Sequence, residues 1–164
     1  MSDLATCSYG EFKPEMGIPV RASLGLPRYV LPYTLDPRAK VWEITPRNTY
    51  LKASDEVYER SYLEQLEGYG VETIDRRFVQ IASVMGGERL VVMCFERLGA
   101  KTHSGIRAGL SDPAAGEALI CHRRLFASWW EQQTGRVVPE LGSRLGAGTQ
   151  SPDTPVDPPL LALF

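Results

Sequence analysis

Residues 89–95, RLVVMCF, are the stretch that decides the fold predicted for this chain of 164 residues. After its first residue the run is continuously apolar rather than alternating, which is typical of a strand covered on both faces in a parallel sheet. Residues 4–9 and 18–23 are two weaker strand candidates before it, and residues 136–141 look like a last short strand. Because helical segments separate the later strands, the order predicts an α/β fold: a small single-domain sandwich with a mostly parallel sheet flanked by helices.

The helices are indicated by apolar residues that recur at helical spacing. The first begins after Ser54, a candidate N-cap, and carries an apolar face of Tyr58, Tyr62, Leu66 and Tyr69. A second helix is predicted over residues 73–85 and is stopped by the two glycines that follow it. A third begins close to Cys121 and ends at Gly135. Prolines punctuate the first 50 residues and forbid long helices there, so this part is predicted to be an extended loop region.

Composition narrows the class of protein. Hydrophobic residues make up 43% of the chain and charged residues 23%, close to a globular average, which excludes wholesale disorder, collagen and coiled coil. The net charge of −2 lacks the footprint of a protein that coats DNA, although a local basic site stays open. We find no apolar run that approaches the roughly 20 residues of a membrane span, and no signal peptide. Three cysteines, an odd and sparse count, favour reduced thiols and a cytoplasmic location.

The chain divides into a body and a tail. Residues 1–142 are predicted to form one α/β domain, and residues 143–164 a disordered tail rich in Pro and Gly. The last five residues, 160–164, are apolar again. They are either a loose end or a short motif that binds a protein partner.

The residues that suggest chemistry lie around the strong strand. Cys94 and Glu96 stand at its carboxyl end, and Cys121, His122 and Arg123 stand at the start of the following helix. Ligands of open α/β sheets bind outside the carboxyl ends of the strands, and helix N-termini attract anions. A thiol at such a position is favoured as thiolate, so Cys121 is a candidate nucleophile or redox thiol.

The neighbours of Cys121 complete this hypothesis. His122 is a candidate base or proton shuttle, Glu96 is a candidate base or orienting group, and Arg123 offers a planar fork for phosphate or carboxylate. Each residue also has a simpler interpretation. Cys94 is then a small core residue, and Arg123 is then paired internally with a carboxylate.

Cofactor and metal sites are not favoured by the sequence. We find no glycine-rich dinucleotide or P-loop motif and no GxSxG motif, so no cofactor is predicted. A zinc site built from Cys94, Cys121, His122 and His103 is conceivable, but the usual ligand spacing is missing, so no metal is predicted.

Several motifs together resemble one known family. They are VVMCFE at 91–96, CHRRLFASWW at 121–130 and VVPELG at 137–142, with CSY at 7–9, IPVRASLGLP at 18–27 and YERSYLEQL at 58–66. This pattern resembles the domain-of-unknown-function 488 family over roughly residues 5–142. The family pairs a Cys-x-Glu strand end with a Cys-His-Arg helix start. The resemblance implies a site of Cys94, Glu96, Cys121, His122 and Arg123, with Tyr9 and Arg21 as ligand-binding lining.

Two departures from the family pattern are visible. The family joins its two motifs by a short turn, whereas residues 97–120 intervene here, and this insertion is predicted to be a mobile loop or lid. Cys7 stands where the family tends to have Thr, which could place a third thiol near the site.

The function predicted from these observations is a thiol-containing enzyme that acts on a small anionic or nucleotide-like substrate. Cys121 is the nucleophile or redox thiol, with Cys94 as a further catalytic candidate. His122 and Glu96 act as acid and base, and Arg123 holds the anion. The alternative is a non-catalytic accessory module that binds an anion or a nucleic acid. A third interpretation is an accessory protein whose tail recruits a partner.

Overall fold

A computed structural model describes residues 1–95 and 121–142 of the protein. In it, three parallel strands form the sheet: β1 (Asp3–Ser8), β2 (Ile18–Arg21) and β3 (Arg89–Cys94). Their order is β1-β3-β2, so β3 is central and has a partner on both edges. The predicted α/β fold with a parallel sheet is confirmed. The predicted tail at 143–164 and the insertion at 97–120 lie outside the described residues.

The sheet is widened on both sides by single parallel bridges. Glu140 pairs with Thr6 of β1, and Lys40 pairs with Arg21 of β2. The strand predicted over residues 136–141 is therefore one bridge, at which the Thr6 amide donates to the Pro139 carbonyl.

Because β3 is central, its side chains alternate between two apolar layers. Leu90 and Val92 face the larger core, which the helices cover, and Val91 and Met93 face a smaller core with Ala5, Cys7, Tyr9 and Phe12. All five of the residues Leu90 to Cys94 are fully buried. Burying such a side chain stabilises the fold by about 1.5–3 kcal/mol, which explains why the run is continuously apolar.

The first helix, α1 (Asp55–Met85), contains both helices predicted for this part of the chain. Gly70 interrupts it with φ 73° and ψ 160°, a conformation open in practice to glycine alone, so the two predicted segments form one kinked element. The buried face agrees with the predicted spacing through Tyr58, Tyr62 and Leu66, whereas Tyr69 next to the kink is 40% exposed. Ser54 is the N-cap residue, but its side chain makes no capping hydrogen bond.

The second helix, α2 (His122–Thr134), begins and ends where the sequence predicts. Cys121 is its N-cap residue, and Gly135 closes it in the left-handed conformation with φ 70°. Its aromatic residues Phe126 and Trp130 pack on Phe78 of α1, at ring distances of 5.9 and 5.8 Å. This packing fixes the N-terminus of α2 above the carboxyl end of β3.

Within residues 1–95 and 121–142, no helix combines the length and the apolar character needed to cross a bilayer.

Candidate functional site

Two thiols meet where the central strand ends and α2 begins. Cys94 is the last residue of β3 and Cys121 is the N-cap of α2, and their Sγ atoms are 3.3 Å apart. Both residues are fully buried, and no disulfide joins them. The strand-end and helix-start positions predict this proximity, and the structure shows it for the Cys94–Cys121 pair.

Arg123 is directed at both sulfurs. Its Nη1 donates to the Cys94 Sγ at 2.7 Å and to the Cys121 Sγ at 3.3 Å. Its Nε and Nη2 donate to the Glu140 carboxylate at 3.0 and 3.2 Å, a bidentate pair between side chains that are 0% and 2% exposed. The guanidinium thus points into the protein, as in the interpretation of an internally paired Arg.

The charge of Arg123 is permanent in this environment. Burial works to lower its pKa, but the Cys94 and Cys121 sulfurs and the Glu140 carboxylate raise the pKa above its ordinary value. A group that is already charged in any accessible pH range therefore stays protonated, and it places a lasting positive charge against the two sulfurs.

A hydrogen-bond network holds the acidic partner of Arg123. The Glu140 Oε2 also accepts from the Thr6 hydroxyl at 2.7 Å. The same hydroxyl accepts from Arg124 Nη1 at 2.9 Å, and that nitrogen also donates to the Val138 carbonyl at 2.9 Å. Sequence reasoning missed Thr6, Glu140 and Arg124 as part of the site. The signal that the sequence offered for this network was Thr6, a polar residue among the apolar residues of the first predicted strand.

The two groups predicted to act as acid and base are His122 and Glu96. His122 is 6% exposed, and its ring packs edge-on against Tyr62 of α1 at 6.1 Å. Its neighbour Arg123 contacts both sulfurs. Glu96 lies outside the described residues, so its predicted role stays a prediction.

Tyr9 and Arg21 lie at the same edge of the sheet but on its other face. The Tyr9 amide donates to the Cys94 carbonyl at 3.0 Å, and its buried hydroxyl bonds to the Ser23 Oγ at 2.7 Å. Arg21 is paired in register with Met93, one residue before Cys94. Because side chains alternate along a strand, Arg21 and the Cys94 thiol project to opposite faces.

Cys7 is on this other face as well. It is fully buried beside Met93, its partner in register on β3. Burial, together with Glu140 and Glu11, raises the pKa of Cys7 from 9.0 to about 12. A neutral thiol is a poor nucleophile, so this environment does not favour Cys7 as a third reactive thiol.

Two further findings concern the capacity of the site to bind a metal ion and the similarity of the chain to known proteins. In the part of the chain that the structure describes, no group of three His, Cys, Asp or Glu side chains is arranged to hold a metal ion. Among the described residues, the site brings together the Cys94 and Cys121 thiols, Arg123 and Glu140. In comparisons of the chain with protein-family models, with curated proteins and with solved structures, nothing matches.

Proposed function

We propose that the protein is a thiol-dependent enzyme whose reactive centre is the Cys94–Cys121 pair. One observation carries this proposal: the Arg123 Nη1 lies within 2.7 and 3.3 Å of the two sulfurs, which are themselves 3.3 Å apart. Thiolate is the nucleophilic form of cysteine, and a neighbouring arginine favours it. Glu140 occupies the other two guanidinium nitrogens, which holds the charge in place.

A second thiol beside the first favours redox chemistry over simple nucleophilic catalysis. One thiolate attacks a disulfide R–S–S–R′, forms a mixed disulfide and releases R′S⁻, which takes up a proton. The second cysteine loses its proton and attacks the mixed disulfide. It forms the Cys94–Cys121 disulfide and releases RS⁻, which is protonated in turn. The two cysteines are oxidised by two electrons, and the substrate disulfide is reduced to two thiols.

The proton acceptor in this scheme is one of two predicted groups. Glu96 follows Cys94 by two residues, and His122 follows Cys121 directly. The substrate is a small anionic molecule, as the sequence predicts. Its negative charge needs a partner other than Arg123, because that guanidinium already contacts Glu140 and both sulfurs.

The test is reaction of the reduced full-length protein with oxidised glutathione, a small anionic disulfide, followed by peptide mass spectrometry. We expect a Cys94–Cys121 linkage that has lost two hydrogen atoms, while Cys7 stays reduced. Cys94→Ser and Cys121→Ser should each trap glutathione on the remaining cysteine of the pair. Cys7→Ser is the matched control and should behave like the wild type.

A second candidate function is the non-catalytic module that binds an anion or a nucleic acid. The observation in its favour is that both cysteines are fully buried, as are structural thiols. It predicts that Cys94 and Cys121 stay unmodified under native conditions. Absence of both the disulfide and the trapped adducts would therefore contradict the enzyme and favour the module.

A further inference from the structure

Two basic residues stand side by side at the edge of β2, away from the thiols. The Arg21 amide donates to the Ala39 carbonyl at 2.8 Å, and the Val41 amide donates to the Arg21 carbonyl at 3.1 Å. This parallel bridge makes Arg21 and Lys40 direct partners. Partners on neighbouring strands project to the same face and are separated by about 4.8 Å at the backbone. The sheet therefore holds two positive side chains next to each other.

Lys40 is buried, although its charge has little compensation. The residue is 4% exposed, and its Nζ donates to the Ser23 carbonyl at 2.8 Å and lies 3.8 Å from the centre of the Trp42 ring. Burial, and then the charge of Arg21, lower the pKa of Lys40. An ammonium group has three N–H donors, and one carbonyl satisfies only one of them.

The hydrogen bonding of the Arg21 side chain is also incomplete. Its Nε is buried and has no hydrogen-bond acceptor among the described residues. The ion pairs of residues 1–95 and 121–142 include neither Arg21 nor Lys40. Like charges on directly paired residues destabilise a sheet, and an unpaired buried donor costs about 1–3 kcal/mol. A negatively charged group between the two side chains would remove both costs.

The surroundings of the pair are ordered by hydroxyl groups. The Ser23 Oγ donates to the Gly25 carbonyl at 2.8 Å, so its bond with Tyr9 at 2.7 Å has the phenol as donor. Burial raises the pKa of Tyr9, and the positive charge of Arg21 opposes that rise, which places Arg21 close to the phenol. This network fixes the chain after β2 at the carboxyl edge of the sheet, where α/β proteins bind ligands.

We propose that Arg21 and Lys40 form a binding site for an oxyanion, the carboxylate or phosphate group of a small ligand. The arginine supplies a planar fork for two oxygens, and the lysine supplies a point charge. Trp42 is 62% exposed beside Lys40 and offers an indole surface to the rest of the ligand. The inference goes beyond the proposed function, because Arg21 projects to the face of the sheet opposite the Cys94 thiol.

The test uses inorganic phosphate as the probe and the full-length protein. Isothermal titration calorimetry and thermal melts are recorded with phosphate and with chloride at the same ionic strength. We expect phosphate to bind and to raise the melting temperature of the wild type. Arg21→Gln and Lys40→Met should each weaken binding by about tenfold or more, because each removes a charge-assisted hydrogen bond. Arg89→Gln, at the amino end of the central strand β3, is the matched control and should bind like the wild type.

A second readout separates binding from a structural role. Without phosphate, Arg21→Gln should melt at the wild-type temperature or above it, because it relieves the repulsion with Lys40. A wild type without any phosphate response, or a response that persists in Arg21→Gln, would overturn the inference. Cys94→Ser should keep phosphate binding. A wild type that reacts with glutathione but does not bind phosphate therefore contradicts this site alone. A wild type that binds phosphate but does not react with glutathione contradicts only the thiol enzyme.

Discussion

Cys7 and Cys94 lie on neighbouring strands, one register position apart, and both are fully buried. Their side chains project to opposite faces of the sheet, and the charges near their sulfurs differ. Cys94 projects to the helix face, where the Arg123 Nη1 is 2.7 Å from its sulfur. Cys7 projects to the face of the smaller core, which we term the loop face, and burial together with Glu140 and Glu11 raises its pKa to about 12. The comparison teaches that burial alone does not decide what a thiol can do. A positive charge fixed against the sulfur distinguishes the two faces.

The largest effect is expected from removing the acidic partner of that charge. Glu140→Ala leaves Arg123 buried without its carboxylate, which should lower the free energy of unfolding by about 3–5 kcal/mol. Urea denaturation measures this loss. Asp3→Ala, which removes an exposed ion pair with Arg89, is the control and should change the stability little.

The double variant Arg123→Met with Glu140→Leu sharpens the same comparison. Because apolar groups of similar volume replace a buried ion pair at little cost, it should recover most of the stability lost in Glu140→Ala. A double variant as unstable as Glu140→Ala would show that the Arg123–Glu140 pair stabilises the fold in a way that apolar side chains cannot replace.

The next effect concerns thiol reactivity in this double variant. Without the guanidinium, alkylation of Cys94 and Cys121 by iodoacetamide at neutral pH should slow by about tenfold, the equivalent of about 1.4 kcal/mol. Peptide mass spectrometry over time measures the two rates. Cys7 serves as the internal comparison, since burial, the largest cause of its raised pKa, is the same in both proteins. Unchanged rates at Cys94 and Cys121 would remove the proposed distinction between the faces.

The smallest effect is expected on the loop face at alkaline pH. The pKa of Cys7 is raised from 9.0 to about 12, so the unfolded chain loses this proton first and the folded state holds it. The stabilisation is complete below pH 9 and is lost as the pH rises towards 12.

Between about pH 9 and pH 10, this one group should cost about 1 kcal/mol of stability. Denaturation of the reduced protein across this range measures the slope, and Cys7→Ala should flatten it. Tyr9, Tyr33 and Tyr62 also have raised pKa values and contribute to both proteins alike. A variant with the wild-type slope would show that Cys7 titrates normally.

Much of the fold followed from local signals. The apolar run that became β3, the buried spacing of Tyr58, Tyr62 and Leu66, and the glycine stop at Gly135 each correspond to an observed element. These signals are local because helix periodicity, strand composition and positive-φ glycines act within a few residues. The kink at Gly70 marks the limit, since two helices separated by a glycine and one kinked helix have the same pattern.

The thiol pair was within reach of the sequence, whereas the charges around it were not. A strand end and a helix start at the same end of a parallel sheet predict that Cys94 or Glu96 lies beside Cys121, and the 3.3 Å between the two sulfurs shows this for Cys94. The direction of Arg123 depends instead on Glu140, which lies 17 residues further along and is positioned by its bridge to β1. Nothing local to either residue indicates that pairing.

Apolar periodicity and chain order in the sequence were enough to predict the parallel α/β fold and the meeting of the end of β3 with the start of α2. Only the tertiary structure decided which charge each side chain meets. Arg123 contacts thiols and Glu140, while Arg21 and Lys40 are paired with each other. The physical reason is that electrostatic partners are selected by strand register and helix placement, which join residues far apart in the chain.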